Sequence, residues 1–272
     1  MTTPTRDPQS TEHCTIERDG HLLIVTLNRP EARNAFSPLM LLGMFDAWQL
    51  LRRDEALRCA ILTGAGGTFC AGADLKAMHS DRIDPELQKR FQEVPDLHWQ
   101  ALLRHNPPHK PIVAAVEGFA IAGGTEILQG TDLRVAGASA RFGVAEVRWG
   151  LFPLGGSTVR LRRQIPYTRA AEILLTGRQV PAAEALEIGL IGHVVPDGQA
   201  LAKARELAEA VARNGPLAVQ AVTRSLRELG NLPEDEALAR ELEIGQPIFA
   251  TEDAREGPRA FAEKRVPEFK GR

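Results

Sequence analysis

Short apolar, β-rich runs that end in small-residue turns and lead into helical patterns constrain this chain most. Residues 21–27 form one such run after the turn at Asp19-Gly20, and residues 14–18 pair with it as a hairpin. Residues 59–63 form the next and stop at Gly64-Ala65-Gly66-Gly67; 111–116, 133–136 and 191–195 follow. Ser37-Pro38 is a helix start, a cap residue before a proline at the first helical position. Leu41, Met44, Phe45, Trp48 and Leu51 then recur at helical spacing. Further helices are predicted at 170–175 and 182–187. Alternation of this kind over about residues 13–197 defines an α/β fold. Beyond Gln199 the pattern is helical, at 200–213, 217–228, 234–244 and 253–264. The predicted organisation is a disordered stretch at 1–12, a core at 13–198 and a helical C-terminal region at 199–272.

Composition narrows the function classes. The 272 residues are 43% apolar and 25% charged, with a net charge of −2. That balance gives no electrostatic footprint for nucleic acid. The clearest apolar run, 111–116, is far too short to cross a membrane. Cys14, Cys59 and Cys70 have neither disulfide-framework nor zinc-site spacing, which fits a reducing compartment and a cytoplasmic location. Residues 1–12 lack the basic start and apolar centre of a secretory signal.

Glu126 and Glu146 stand out against this background. Each follows a small-residue turn inside a segment that otherwise reads as buried. Carboxylates are costly in such places unless paired or employed. Two of them suit general acid and base work. Each also has a plain structural reading: Glu126 as a first-turn helix acid, Glu146 as a partner for Arg134, Arg141 or Arg148. Asp74 reads equally as a helix cap.

The glycine-rich turns are the second constellation. The series from Gly64 puts Phe69 where a dinucleotide fingerprint needs its third glycine, and no Gly-Lys-Ser/Thr follows. Ala122-Gly123-Gly124 also lies between a strand and a helix. Amides at a helix N-terminus are free to bind developing negative charge. Two such turns could aim one N–H each at a single carbonyl oxygen, an oxyanion hole. The stretch from Gly150 to Ser157 does not match the Gly-x-Ser-x-Gly nucleophile elbow, which disfavours a serine hydrolase. His105 and His109 have ligand spacing, but Pro107 and Pro108 between them forbid a regular helix face, so no metal is expected. Trp48 reads as core, and Trp149 as core or pocket wall.

Together these segments resemble the crotonase, or enoyl-CoA hydratase/isomerase, superfamily, closest to its actinobacterial hydratases. The resemblance is carried by Leu27-Asn28-Arg29-Pro30-Glu31-Ala32-Arg33-Asn34-Ala35, Phe69-Cys70-Ala71-Gly72-Ala73-Asp74-Leu75, Lys110-Pro111 through Glu126, and Phe142-Gly143 through Gly156. Leu175-Thr176-Gly177-Arg178 and Phe261-Ala262-Glu263-Lys264-Arg265 extend it to the C-terminus. It implies a spiral of repeated ββα units and a helical C-terminal region used in a homotrimer or dimer of trimers. It implies Glu126 and Glu146 as the catalytic pair, and Ala73 and Gly123 as the oxyanion hole. Ala32, Arg33, Ala71, Asp74 and Leu75, with Phe261 and Lys264, are implied to contact CoA. Ala122 departs from the hydratase pattern, which often has a third glycine there.

The implied activity is hydration of a trans-2-enoyl-CoA in fatty-acid or sterol side-chain β-oxidation. The acyl-CoA thioester is the partner, with no cofactor beyond the CoA of the substrate, no nucleic acid and no membrane. The alternatives are a 3,2-enoyl-CoA isomerase or other crotonase chemistry, and a non-catalytic acyl-CoA-binding or RNA-associated homologue. Residues 78–104 are the expected acyl-side wall.

Overall fold

The apolar runs become strands covered on both faces. The computed structural model describes residues 5–7, 9–74 and 85–272. Among these, one sheet runs in the order β1 (Thr5–Arg6), β2 (Cys14–Asp19), β3 (Leu22–Leu27), β4 (Cys59–Gly64), β5 (Ile112–Val116), β7 (Leu133–Gly137), β10 (His193–Val195). The first three strands pair antiparallel and the rest parallel. A smaller sheet contains β6 (Phe119–Ile121), β8 (Arg141–Gly143) and β9 (Val180–Pro181).

Strand periodicity explains why both faces of the large sheet are apolar. Ala60 and Leu62 of β4 join the cluster that contains Met40, Met44 and Trp48 of α1 (Pro38–Arg53). Cys59 and Ile61 point the other way, to Ala200, Ala204, Ala208 and Ala212 of α8 (Ala200–Ala212). That alanine stripe repeats every four residues and lets the helix lie close on the sheet. Ser37 caps α1 by accepting the Met40 N–H, with Pro38 at the first helical position. Trp48 is core, its indole N–H donating to the Ala101 carbonyl.

The remaining helices are α2 (Pro85–Glu93), α3 (Leu97–Ala101), α4 (Gly123–Leu128), α5 (Ser157–Gln164), α6 (Tyr167–Thr176), α7 (Ala182–Glu187), α9 (Pro216–Glu228), α10 (Glu234–Gly245) and α11 (Glu252–Ala262). Three features add detail to the sequence reading. Within 1–12, β1 pairs with β2, and the buried Asp7 carboxylate binds Arg18 at 3.0 Å. The helical C-terminal region packs on the core through α8, which covers one face of the large sheet. The small sheet is a further element, since its strands are only two or three residues long and give no periodicity.

Candidate active site

Two backbone turns meet beside the start of α4. The first runs from Cys70 to Asp74. Cys70 donates to the Phe119 carbonyl at 2.8 Å and accepts from Ile121 at 2.9 Å, which ties the turn to β6. Gly72 has φ +94°, and a Cβ there would lie 2.9 Å from Ala122 Cβ and 3.3 Å from Gly123 N. Only glycine allows that approach. Ala73 forms a parallel bridge with Phe36, whose N–H and carbonyl bond Gly72 and Asp74. The Ala73 N–H therefore points away from this bridge and has no acceptor among the described residues. Gly123 is the first residue of α4, so its N–H also has no intrahelical acceptor. The expected pair of oxyanion donors is thus placed on adjoining turns.

The scaffold under these turns is one buried side chain. Asn34, 0% exposed, donates to the Ala65 and Thr68 carbonyls at 2.9 and 2.8 Å and accepts from Arg29 N at 2.8 Å. It pins the loop after β3 to the loop after β4. Asn34 itself has φ +54°, a conformation asparagine tolerates. Asp74 is ion-paired with Arg29 at 2.5 Å, which closes the same junction. Ala32 ends a 3-10 turn at Pro30–Ala32, and the Arg33 carbonyl accepts the Ala71 N–H at 3.0 Å. Ala32, Arg33, Ala71 and Asp74, four of the residues implied to touch CoA, are thus joined in one strip of backbone. Leu75 lies outside the described residues, as does the first part of the expected acyl-side wall.

Glu126 sits in the first turns of α4, 6% exposed. Its Oε2 accepts the Gly155 N–H at 3.0 Å and its Oε1 the Ser157 N–H at 3.2 Å. Glu146 opens a 3-10 turn at Glu146–Trp149 that the residues after β8 deliver to the same place. Burial pushes its carboxyl up to about 7, and the neighbouring Glu126 charge adds to the rise. Its Oε2 is buried with no hydrogen-bond partner, and it has no ion pair with Arg134, Arg141 or Arg148 among the described residues. Arg134 instead bonds the Leu190 carbonyl. One carboxyl is thus well supplied with donors and the other is short of them.

The other expected residues fall elsewhere. Trp149 is neither core nor covered wall in the single chain: it is 74% exposed, beside exposed Leu151, Phe152 and Leu154. Phe261 on α11 is 86% exposed, and Lys264 follows it in a left-handed turn. No group of three or more His, Cys, Asp or Glu side chains with metal-holding geometry occurs among the described residues. Gly155 and Ser157 are partners of the Glu126 carboxylate that the sequence reading left unassigned. Their signal was the glycine-rich stretch after Pro153, which marks a turn but does not tell which side chain its amides serve.

A two-carboxylate site beside two unengaged amides has the parts that acid–base chemistry on a polarised carbonyl requires. Residues 17–272 match the enoyl-CoA hydratase/isomerase family profile. The chain is 57% identical to the enoyl-CoA hydratase EchA19 of Mycobacterium tuberculosis, over 94% of this chain and 96% of that protein. It is 35% identical to the 2,3-dehydroadipyl-CoA hydratase of Escherichia coli, over 94% and 98%. The crystal structure of an enoyl-CoA hydratase from Mycobacterium tuberculosis superposes with a TM-score of 0.87 at 40% identity, covering 96% of this chain and all 100% of that one. The chain belongs to the enoyl-CoA hydratase/isomerase family, and its α/β architecture is the crotonase fold.

Proposed function

We propose that this chain is an enoyl-CoA hydratase, a hydro-lyase that adds water reversibly and syn across the 2,3 double bond of a trans-2-enoyl-CoA. The observation that carries this reading is the unequal pair of carboxyls. Glu126, oriented by two amide donors, acts as base on the water attacking C3. Glu146, raised to about 7, holds a proton near neutral pH and delivers it to C2. The charge that builds on the thioester oxygen meets the N–H groups of Ala73 and Gly123. Water and alkene combine without net redox change, so the reaction calls for no redox cofactor, and CoA belongs to the substrate. Loss of the conjugated enoyl-thioester absorbance in the presence of the protein tests the reading. The 3,2-isomerase alternative needs only one carboxyl to move a proton between carbons.

The substrate's acyl group is assigned to fatty-acid or sterol side-chain β-oxidation, in the cytoplasm. Exposed Trp149, Leu151 and Phe152, together with exposed Leu226, Phe249 and Phe261 of the C-terminal region, support a homotrimer or dimer of trimers. In that assembly Phe261 and Lys264 would reach CoA across a subunit contact. Sedimentation at micromolar protein should show the trimer or hexamer; a stable monomer contradicts it. Among the described residues no helix is long and apolar enough to cross a membrane.

A further inference from the structure

We propose that Gln129 is a positioning residue for the reaction: its side-chain amide fixes the Ser157 turn against the Glu126 carboxylate. The inference rests on the hydratase reading, with Glu126 as the base. Gln129 follows Glu126 by three residues, as the C-cap of the same short helix, and is buried. Its Nε2 donates to Ser157 Oγ at 2.7 Å. Ser157 is 0% exposed and is the residue whose backbone N–H binds Glu126 Oε1. The Gln129 carbonyl accepts from Gln164 Nε2 at 2.9 Å, at the far end of α5. The residue that caps α4 therefore grips α5 at both ends.

The orientation of the Gln129 amide is set by its surroundings. The Thr125 carbonyl lies 3.4 Å from Nε2, a place that requires a donor. Oε1 is consequently left buried with no partner among the described residues. An unsatisfied buried carbonyl costs stability. A methionine of similar volume would avoid that cost, so packing alone does not explain a glutamine here. Of the two bonds that need the amide, the shorter is the bond to Ser157, at 2.7 Å against 3.4 Å for the Thr125 carbonyl.

Among the described residues, Glu146 of the 3-10 turn and Arg160 of α5 are charged groups close enough to Glu126 to feel its carboxylate. Neither is held by Gln129. A change at Gln129 therefore reaches Glu126 through Ser157, by loosening a donor that favours the anion.

The test uses Gln129→Met, Ser157→Ala and the double variant in the full chain. Kinetics are measured against pH with a trans-2-enoyl-CoA. The Glu126 carboxyl is followed separately by 13C NMR titration, with Glu126→Gln as the assignment control. Gln129→Met is expected to lower kcat about tenfold with KM little changed, the size of one lost hydrogen bond. The acidic limb of its kcat/KM profile and the Glu126 titration midpoint should both move toward neutral pH. Ser157→Ala should act in the same direction, and the double variant should be no worse than the poorer single variant. An unmoved Glu126 titration in Gln129→Met overturns the inference, as do additive losses in the double variant. A wild type that binds enoyl-CoA without hydrating it overturns the hydratase reading instead, and the NMR titration still decides the role of Gln129.

Discussion

Gly155 donates its amide to Glu126 Oε2 at 3.0 Å, and a methyl group built on Gly155 would come within 2.5 Å of that same oxygen. The donor and the absence of a side chain are one device. Gly155→Ala should push the carboxylate off its donors while leaving the CoA strip untouched. A displacement of about 1 Å at a catalytic group commonly costs about 10²-fold in rate. The expected outcome is that loss in kcat with little change in KM. Gly245→Ala, where an added methyl meets nothing within 4 Å, should leave both constants unchanged.

The raised Glu146 carboxyl sets a pH dependence with a definite sign. A general acid works only while protonated, so hydration should fall as pH rises through about 7. The two carboxyls are coupled, and the observed limbs belong to the pair. Stability follows the same direction. The folded chain holds this proton more tightly than the unfolded chain, so folding stability declines as pH rises from the ordinary value of 4.5 to about 7. Glu146→Gln removes that slope. Thermal melts should show the variant more stable than wild type at pH 8, with the difference gone near pH 5.

Ala122 has φ +54° and ψ −124°, a conformation that glycine adopts freely and alanine does not. It stands between β6 and the Gly123 amide, where the hydratase pattern often has a third glycine. Ala122→Gly should relieve strain worth about 1–3 kcal/mol, less about 0.5–1 kcal/mol for the entropy of a new glycine. The expected result is a net gain of about 1 kcal/mol in chemical denaturation, with hydration retained. A loss of stability would show that packing of the Ala122 methyl outweighs the backbone term.

What was legible in the sequence was whatever is local. Ser37-Pro38 announced α1, and the apolar runs announced the parallel strands, because capping and periodicity act over a few residues. Glu126 and Glu146 were legible because a carboxylate among apolar neighbours conflicts with its surroundings. Gly155, Ser157 and Gln129 were not, because their partners lie 28 to 31 residues away and the bonds use backbone or an uncharged amide. Asn34 was hidden for the same reason: its carbonyl partners Ala65 and Thr68 belong to another loop. The exposed Trp149 shows the converse, since a tryptophan reads as buried whether its cover is this chain or another.

The central claim is that Glu126 and Glu146 act as a unit on one water. It is tested most directly by the hydration rate of a trans-2-enoyl-CoA for wild type, Glu126→Gln, Glu146→Gln and the double variant, with acyl-CoA binding measured alongside. Each single variant should lose about 10²–10⁴-fold in kcat while still binding acyl-CoA. The double variant should lose much less than the product of the two, as groups that work together do. Near-wild-type hydration by either single variant contradicts the account. So does a protein that never hydrates but moves double bonds, with that activity lost in Glu146→Gln alone, which would make it an isomerase.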